Sequence, residues 1–196
     1  MNKIGKILIG IGIIFLGIAI VLFLYFQYEE YDAGKKSANV LSVIKDNIEN
    51  FQLESIDVEQ VDERNSIQVN GYDYIGTLFI PSLNLELPVM SEYDEARLKI
   101  APCRYYGSVA TDNLILCAHS YKTHFGYLNH LKQKDRILFT NMNGECYLYE
   151  VLEIEILGAN DVSLMLNTEF DLTLYTCTSD GMNRIVVRCN RVVENI

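Results

Sequence analysis

The chain has 196 residues, room for one domain of ordinary size plus an accessory segment but not for two catalytic domains. Its 26 acidic against 16 basic residues give a formal charge of −10, which excludes nucleic acid as the main partner because neutralising phosphates needs a basic surface. Disordered, collagen-like and Pro-rich classes are excluded as well: 49% of residues are hydrophobic, 8 Phe and 13 Tyr supply material for a core, and there are 3 Pro.

The first element in chain order is an uncharged apolar run over 7–26, about the 20 residues needed to cross the hydrocarbon of a bilayer. Lys3 and Lys6 precede it and Glu29, Glu30 and Asp32 follow, so the positive-inside bias predicts a cytoplasmic N-terminus and an extracellular remainder. A cleaved secretory signal fits less well, because the run is too long and no small-x-small cleavage site follows it. Segment 1–26 is therefore expected to be a single-pass membrane anchor.

Segment 27–73 carries eleven acidic and four basic residues. Within it, Val40, Leu41, Ile44, Ile48 and Phe51 recur at helical spacing and predict a helix over about 33–51. Residues 52–70 show no period. The whole segment reads as a partly helical acidic linker kept soluble by its charge, ending in a solvated tether.

From 74 to 196 the period changes to that of strands. Strands are predicted over 74–80, 83–89, 113–119, 136–141, 145–157, 172–177 and 184–193, with helical stretches near 93–100 and 125–131. Met142-Asn143-Gly144 marks a hairpin. Seven or eight short strands in this length mean a mainly β domain, a closed barrel or a sandwich. Neither GxGxxG nor GxxxxGK[ST] occurs.

Five cysteines, at 103, 117, 146, 177 and 189, form no CxxC pair, and their odd number leaves at least one thiol free. Cys117, Cys146 and Cys189 lie inside apolar strand patterns and read as small buried hydrophobes; Cys103, beside Pro102, falls in a predicted loop. Cys177 differs. It closes a strand and precedes a polar loop, where a nucleophilic thiol would be reachable. Such a thiol needs a base and a donor for the oxyanion. Of His119, His124 and His130 only His119 ends an apolar strand, and the three are not spaced for one helical face or a zinc site. Arg184 and Arg188, of equal parity on the last strand, are the candidate cations.

Thr173-Leu174-Tyr175-Thr176-Cys177 followed by Arg184-Ile185-Val186-Val187 resembles the TLxTC and Arg-bearing signature of the sortases, membrane-anchored cysteine transpeptidases of Gram-positive bacteria. Gly76-Thr77-Leu78-Phe79-Ile80-Pro81 and Leu85-Glu86-Leu87-Pro88-Val89 resemble the opening barrel strands of that family. Asn113-Leu114-Ile115-Leu116-Cys117-Ala118-His119 resembles its histidine strand, and 125–135 the helix and turn that follow. The resemblance implies an eight-stranded sortase barrel with Cys177 as nucleophile, His119 as general acid/base, Arg184 as the oxyanion cation (Arg188 the alternative) and Thr176 as a substrate contact. It further implies an LPxTG-like sorting signal on surface proteins as substrate, a thioacyl-enzyme, and a cell-wall precursor or other amine as acceptor. No cofactor is expected; calcium is conceivable at Glu92, Asp94, Glu95 and Asp161, which read more simply as solvated loop acids.

Ala118 and Lys134 stand where the family commonly has Gly, departures expected to alter turn geometry rather than chemistry. Only 158–171 separate the last two predicted strand blocks before Cys177, which leaves no room for the long insertion of class B, and no second hydrophobic segment follows as in many class C enzymes, so a class A-like or D-like member is expected. Two other readings compete: a different cysteine peptidase or acyltransferase, weakened by the lack of papain-like and SHGC motifs, and a non-catalytic membrane-anchored β-barrel binding module.

Overall fold

The computed structural model describes residues 3–55, 66–166 and 169–192. Among the described residues nine strands form one sheet: β1 (Ile67–Val69), β2 (Tyr72–Ile80), β3 (Leu85–Met90), β4 (Cys103–Tyr106), β5 (Leu114–Cys117), β6 (Arg136–Asn141), β7 (Cys146–Gly158), β8 (Leu172–Cys177) and β9 (Asn183–Arg191). Their order is β1-β2-β3-β4-β5-β8-β9-β7-β6, and β6 returns to pair with β2 from Gly76 to Phe79. Eight strands thus close a barrel, which removes the exposed sheet edges. β1 is a short hairpin arm on the first half of β2.

The period-2 pattern sorts side chains to two sides. Leu78, Ile80, Leu87, Leu114, Leu116, Phe139, Leu172, Leu174 and Val187 fill the interior. The alternate residues, among them Met90, Ile115, Cys117, Tyr175 and Val186, form a second apolar layer outside the wall, joined by Cys103 and, across a bulge in β2, by Tyr74. That outer layer is covered by helices.

The main cover is α1 (Lys3–Ser55), which runs unbroken from the apolar segment to the barrel. Its residues from Ile7 to Phe26 are exposed, and it is the one described helix long and apolar enough to cross a membrane. Beyond them Ala33, Ser37, Val40, Ile44, Ile48 and Phe51 are buried at spacings of three and four. The sequence predicts this periodic face but reads the segment as a free linker. Instead it docks: Val40, Ile44 and Ile48 join the outer core layer, Lys45 pairs with Glu86 at 3.0 Å, and Gln52 donates to the Gly144 carbonyl. A fully buried side chain of this size contributes roughly 1.5–3 kcal/mol, whereas an exposed pair contributes about 1 kcal/mol or less. Packing holds the helix. Of the predicted tether, 56–65 lie outside the described residues.

Two shorter helices complete the cover. In α2 (Glu95–Leu98) the Asp94 carboxylate caps the N-terminus by accepting from the Ala96 and Arg97 amides. α3 (Val162–Leu166) lies between β7 and β8 and has no clear signal in the sequence. β4 is a further difference, since Cys103 is a buried strand residue rather than a loop residue. Pro102 and Cys103 pair with Met90 of β3, a tertiary contact that a four-residue strand does not announce. Cys146 differs in the opposite sense: it begins β7 at the hairpin and is exposed.

The hairpin at Asn141 forms as predicted. The Asn141 side-chain oxygen accepts from the Asn143 and Glu145 amides, and Gly144 takes φ +79°. Lys134 adopts φ +73° and donates its amide to the Val151 carbonyl. The turn keeps its left-handed geometry at the steric cost of a Cβ.

Candidate active site

β5 and β8 run parallel, with Leu114 level with Leu172 and Cys117 level with Tyr175. Continuing that register by two residues places His119 level with Cys177. On the other side of β8, Cys177 is paired with Arg184 of β9. The three residues named from the sequence therefore stand in one row across three adjacent strands, spaced at roughly 5 Å per strand. All three line a single pocket of about 420 Å³.

Cys177 is half-buried at the end of its strand, on the outward parity shared with Tyr175. The loop after it is tightly closed. The Thr178 hydroxyl bonds Asp180, Asp180 accepts from the Met182 amide, and Thr178 exchanges bonds with Asn183. Gly181 takes φ +73° at the bend. Arg184 is anchored from behind, its Nη1 donating to the carbonyls of Gly181 at 3.3 Å and Asn183 at 3.0 Å. Permanent charge and fixed geometry suit such a group to a developing oxyanion.

His119 follows the last ladder residue. Its Nε2 is buried and has no hydrogen-bond partner among the described residues. Burial pushes its pKa down from the ordinary histidine value, Lys99 adds to this, and Glu29 and Glu95 oppose it. The Tyr121 ring lies 4.9 Å from the imidazole.

Thr176 and Arg188 are both buried and hydrogen-bonded within the fold. Thr176 has the inward parity, is 1% exposed, and gives its hydroxyl to the Ala118 carbonyl at 2.8 Å. It ties the cysteine strand to the histidine strand, and that hydroxyl is committed inside the fold. Arg188 sits level with Thr173, four residues down β9 from Arg184, and is 3% exposed. Its guanidinium bonds Glu155 at 2.8 Å, Thr173 at 3.1 Å and the carbonyls of Leu164 and Met165. It pins α3 to the barrel and has no place at Cys177.

Other pocket residues carry no sequence signal, because only register brings them together. Tyr93, Tyr105 and Tyr175 form an edge-to-face chain with centroids 5.4 and 5.5 Å apart. Val162 and Met165 of α3 and Lys99 after α2 also line the pocket. Of the acids considered for calcium, Asp94 caps α2, Glu92 pairs with Arg97 at 3.1 Å, and Asp161 accepts from the Gly158 amide. Among the described residues no three or more potential ligands converge.

The fold is a barrel closed by eight strands, with His119 after β5, Cys177 at the end of β8 and Arg184 on β9 in one row beside a single pocket. A family model for the sortase domain matches residues 78–192. Sortase A of Bacillus anthracis is 28% identical over 174 residues, covering 82% of each chain. Among solved structures, the sortase D5 transpeptidase of Clostridium perfringens superposes with a TM-score of 0.61 at 18% identity, covering 81% of this chain and 99% of that one. Sortase A of Corynebacterium diphtheriae gives 0.56 at 21% identity, covering 85% and 94%. Sortase C1 of Streptococcus suis gives 0.53 at 25% identity, covering 61% and 73%. The chain belongs to the sortase family, and it is a transpeptidase enzyme.

Proposed function

We propose that the enzyme cleaves an LPxTG-like sorting signal of surface proteins and transfers the acyl part to an amine of the cell wall. The observation that carries this reading is the row His119, Cys177, Arg184 across three adjacent strands in one pocket. Cys177 Sγ adds to the carbonyl carbon of the Thr–Gly-like bond, and Arg184 faces the charge that develops on the carbonyl oxygen. The C–N bond breaks as the His119 imidazolium gives its proton to the leaving amine, and a thioester remains. An acceptor amine then attacks the thioester and passes a proton to His119. A new amide forms as the Cys177 thiolate leaves. Because burial lowers the His119 pKa, the protonated form is a minority at pH 7 but a stronger acid toward the leaving amine.

In this reading α1 crosses the membrane with its N-terminus in the cytoplasm, and the barrel faces the cell wall where signal and acceptor amine are found. The test uses the full chain in nanodiscs with LPxTG-type peptides and amine acceptors. Wild type gives a transpeptidation product and Cys177→Ala gives none. Turnover surviving in Cys177→Ala would falsify the mechanism. Product that is only hydrolysed acid, whatever amine is supplied, would favour a peptidase.

A further inference from the structure

His119 lies beyond the ladder that positions it. The last backbone bond of the β5–β8 pairing is the Ala118 amide to the Tyr175 carbonyl, and the chain then leaves as a loop to Phe125. From inside the barrel this loop is held by the Phe125 amide on the His119 carbonyl, and by the His124 and Gly126 amides on the Tyr121 carbonyl. Its outer side is held by α1. The Glu30 carboxylate accepts from the Lys122 amide at 2.6 Å, a charge-assisted bond, and the Glu30 carbonyl accepts from the Thr123 hydroxyl at 3.3 Å. One turn on, Gly34 meets Thr123 so closely that a Cβ there would stand 2.7 Å from its Cγ2. Glu29, on the same turn, pairs at 3.1 Å with Lys99, which lines the pocket with His119. Lys122 is also the neighbour of Tyr121, whose ring lies against the imidazole.

These contacts lie only one to two helical turns beyond Phe26, the last residue of the exposed apolar run, at about 5.4 Å per turn. Nothing in the acidic composition of 27–73 requires them; a solvated spacer would place no carboxylate on a loop amide. We propose that Glu30 and Gly34 are positioning residues for His119, clamping the 120–123 loop so that the helix continuous with the apolar span, and not the barrel alone, sets the imidazole beside Cys177. The inference deepens the transpeptidase reading and rests on it for the kinetic readout.

The experiment compares full-length wild type, Glu30→Ala, Glu30→Gln, Gly34→Leu and Lys45→Ala in nanodiscs, following Cys177-dependent kinetics and the NMR signal of isotope-labelled His119. Glu30→Ala should lower kcat about tenfold while KM moves less than about twofold, because the loss is one of placement. Its His119 resonance should shift or broaden. Glu30→Gln, whose amide oxygen accepts from the same Lys122 N–H, should restore both. Gly34→Leu should resemble Glu30→Ala, and Lys45→Ala, on the same helix but in a remote ion pair, should match wild type. Unchanged kcat and an unmoved His119 signal in Glu30→Ala and Gly34→Leu overturn the proposal. So does an equal disturbance in Glu30→Ala and Glu30→Gln, which indicates a general loss of docking. A wild-type chain without Cys177-dependent turnover refutes the transpeptidase reading, and the His119 signal then decides the clamp by itself.

Discussion

Arg184 and Arg188 have the same residue type, strand and parity, and their environments assign them different work. Arg184 is anchored by two carbonyls of its own hairpin and points into the pocket wall, while Arg188 is buried under α3 with its donors spent on four acceptors. Arg184→Ala should lower kcat about a hundredfold, the scale of one lost oxyanion donor, with little change in Tm. Arg188→Ala should instead cost about 2–4 kcal/mol of stability, by leaving buried acceptors and the Glu155 carboxylate without their partner. Thermal melts beside steady-state kinetics separate the two effects. A chain whose Arg188→Ala melts like wild type but does not turn over would reverse the assignment.

His124 makes a second prediction at this scale. It is fully buried, and burial lowers its pKa from 6.5 to about 4. The unfolded chain therefore binds a proton between these values that the folded chain refuses, so stability is complete above about pH 6.5 and falls as pH drops toward 4. The loss amounts to roughly 3 kcal/mol, at 1.36 kcal/mol per pKa unit. Tm measured from pH 7 to pH 4 should fall more steeply in wild type than in His124→Leu; parallel curves would count against the buried neutral imidazole. His119 contributes with the same sign, since its pKa is lowered too.

At the scale of elements, α1 changes the account of the acidic segment. The apolar recurrence at Val40, Ile44, Ile48 and Phe51 was legible as a helix, but a helical stripe does not say what it packs on. The outer residues of β1, β2 and β3 supply that surface. Ile44 is 0% exposed, and Ile44→Ala should destabilise the whole barrel by about 2–5 kcal/mol, as a cavity at the helix–sheet boundary does. Denaturation in detergent should report one transition shifted as a unit. Loss of helix alone, with barrel unfolding unmoved, would mean the helix is docked without coupling. By the same physics, a fragment starting at the barrel would expose the outer apolar layer and should not stand in for the full chain.

Viewed as a whole molecule, the chain combines one long helix, apolar and exposed in its first half and docked in its second, with a closed barrel, and the charge of −10 does not stand against membrane attachment because the acids lie outside the span. Cysteine exposure offers a test of the proposed orientation. Cys103, Cys117 and Cys189 are buried and Cys146 is exposed at the β6–β7 hairpin. In intact cells an impermeant maleimide should label the Cys177→Ala chain at Cys146 and should not label Cys146→Ser/Cys177→Ala. Labelling that requires permeabilised cells would place the barrel inside.

The amino-acid sequence by itself determined the apolar span, the period-2 strands from Tyr74 onward, the Asn-Gly hairpin and the identity of Cys177, His119 and Arg184 as candidates. Each rests on local periodicity, turn chemistry or a contiguous motif, and such signals survive without knowledge of what lies opposite. Other features were decided only by the tertiary structure. These include the strand at Cys103, the exposure of Cys146, the different employments of Arg184 and Arg188, the inward commitment of Thr176, and the docking of α1 beside His119. The physical reason is common to all of them: each depends on a partner distant in sequence, chosen by strand register and by which apolar faces meet. Short local patterns carry neither kind of information.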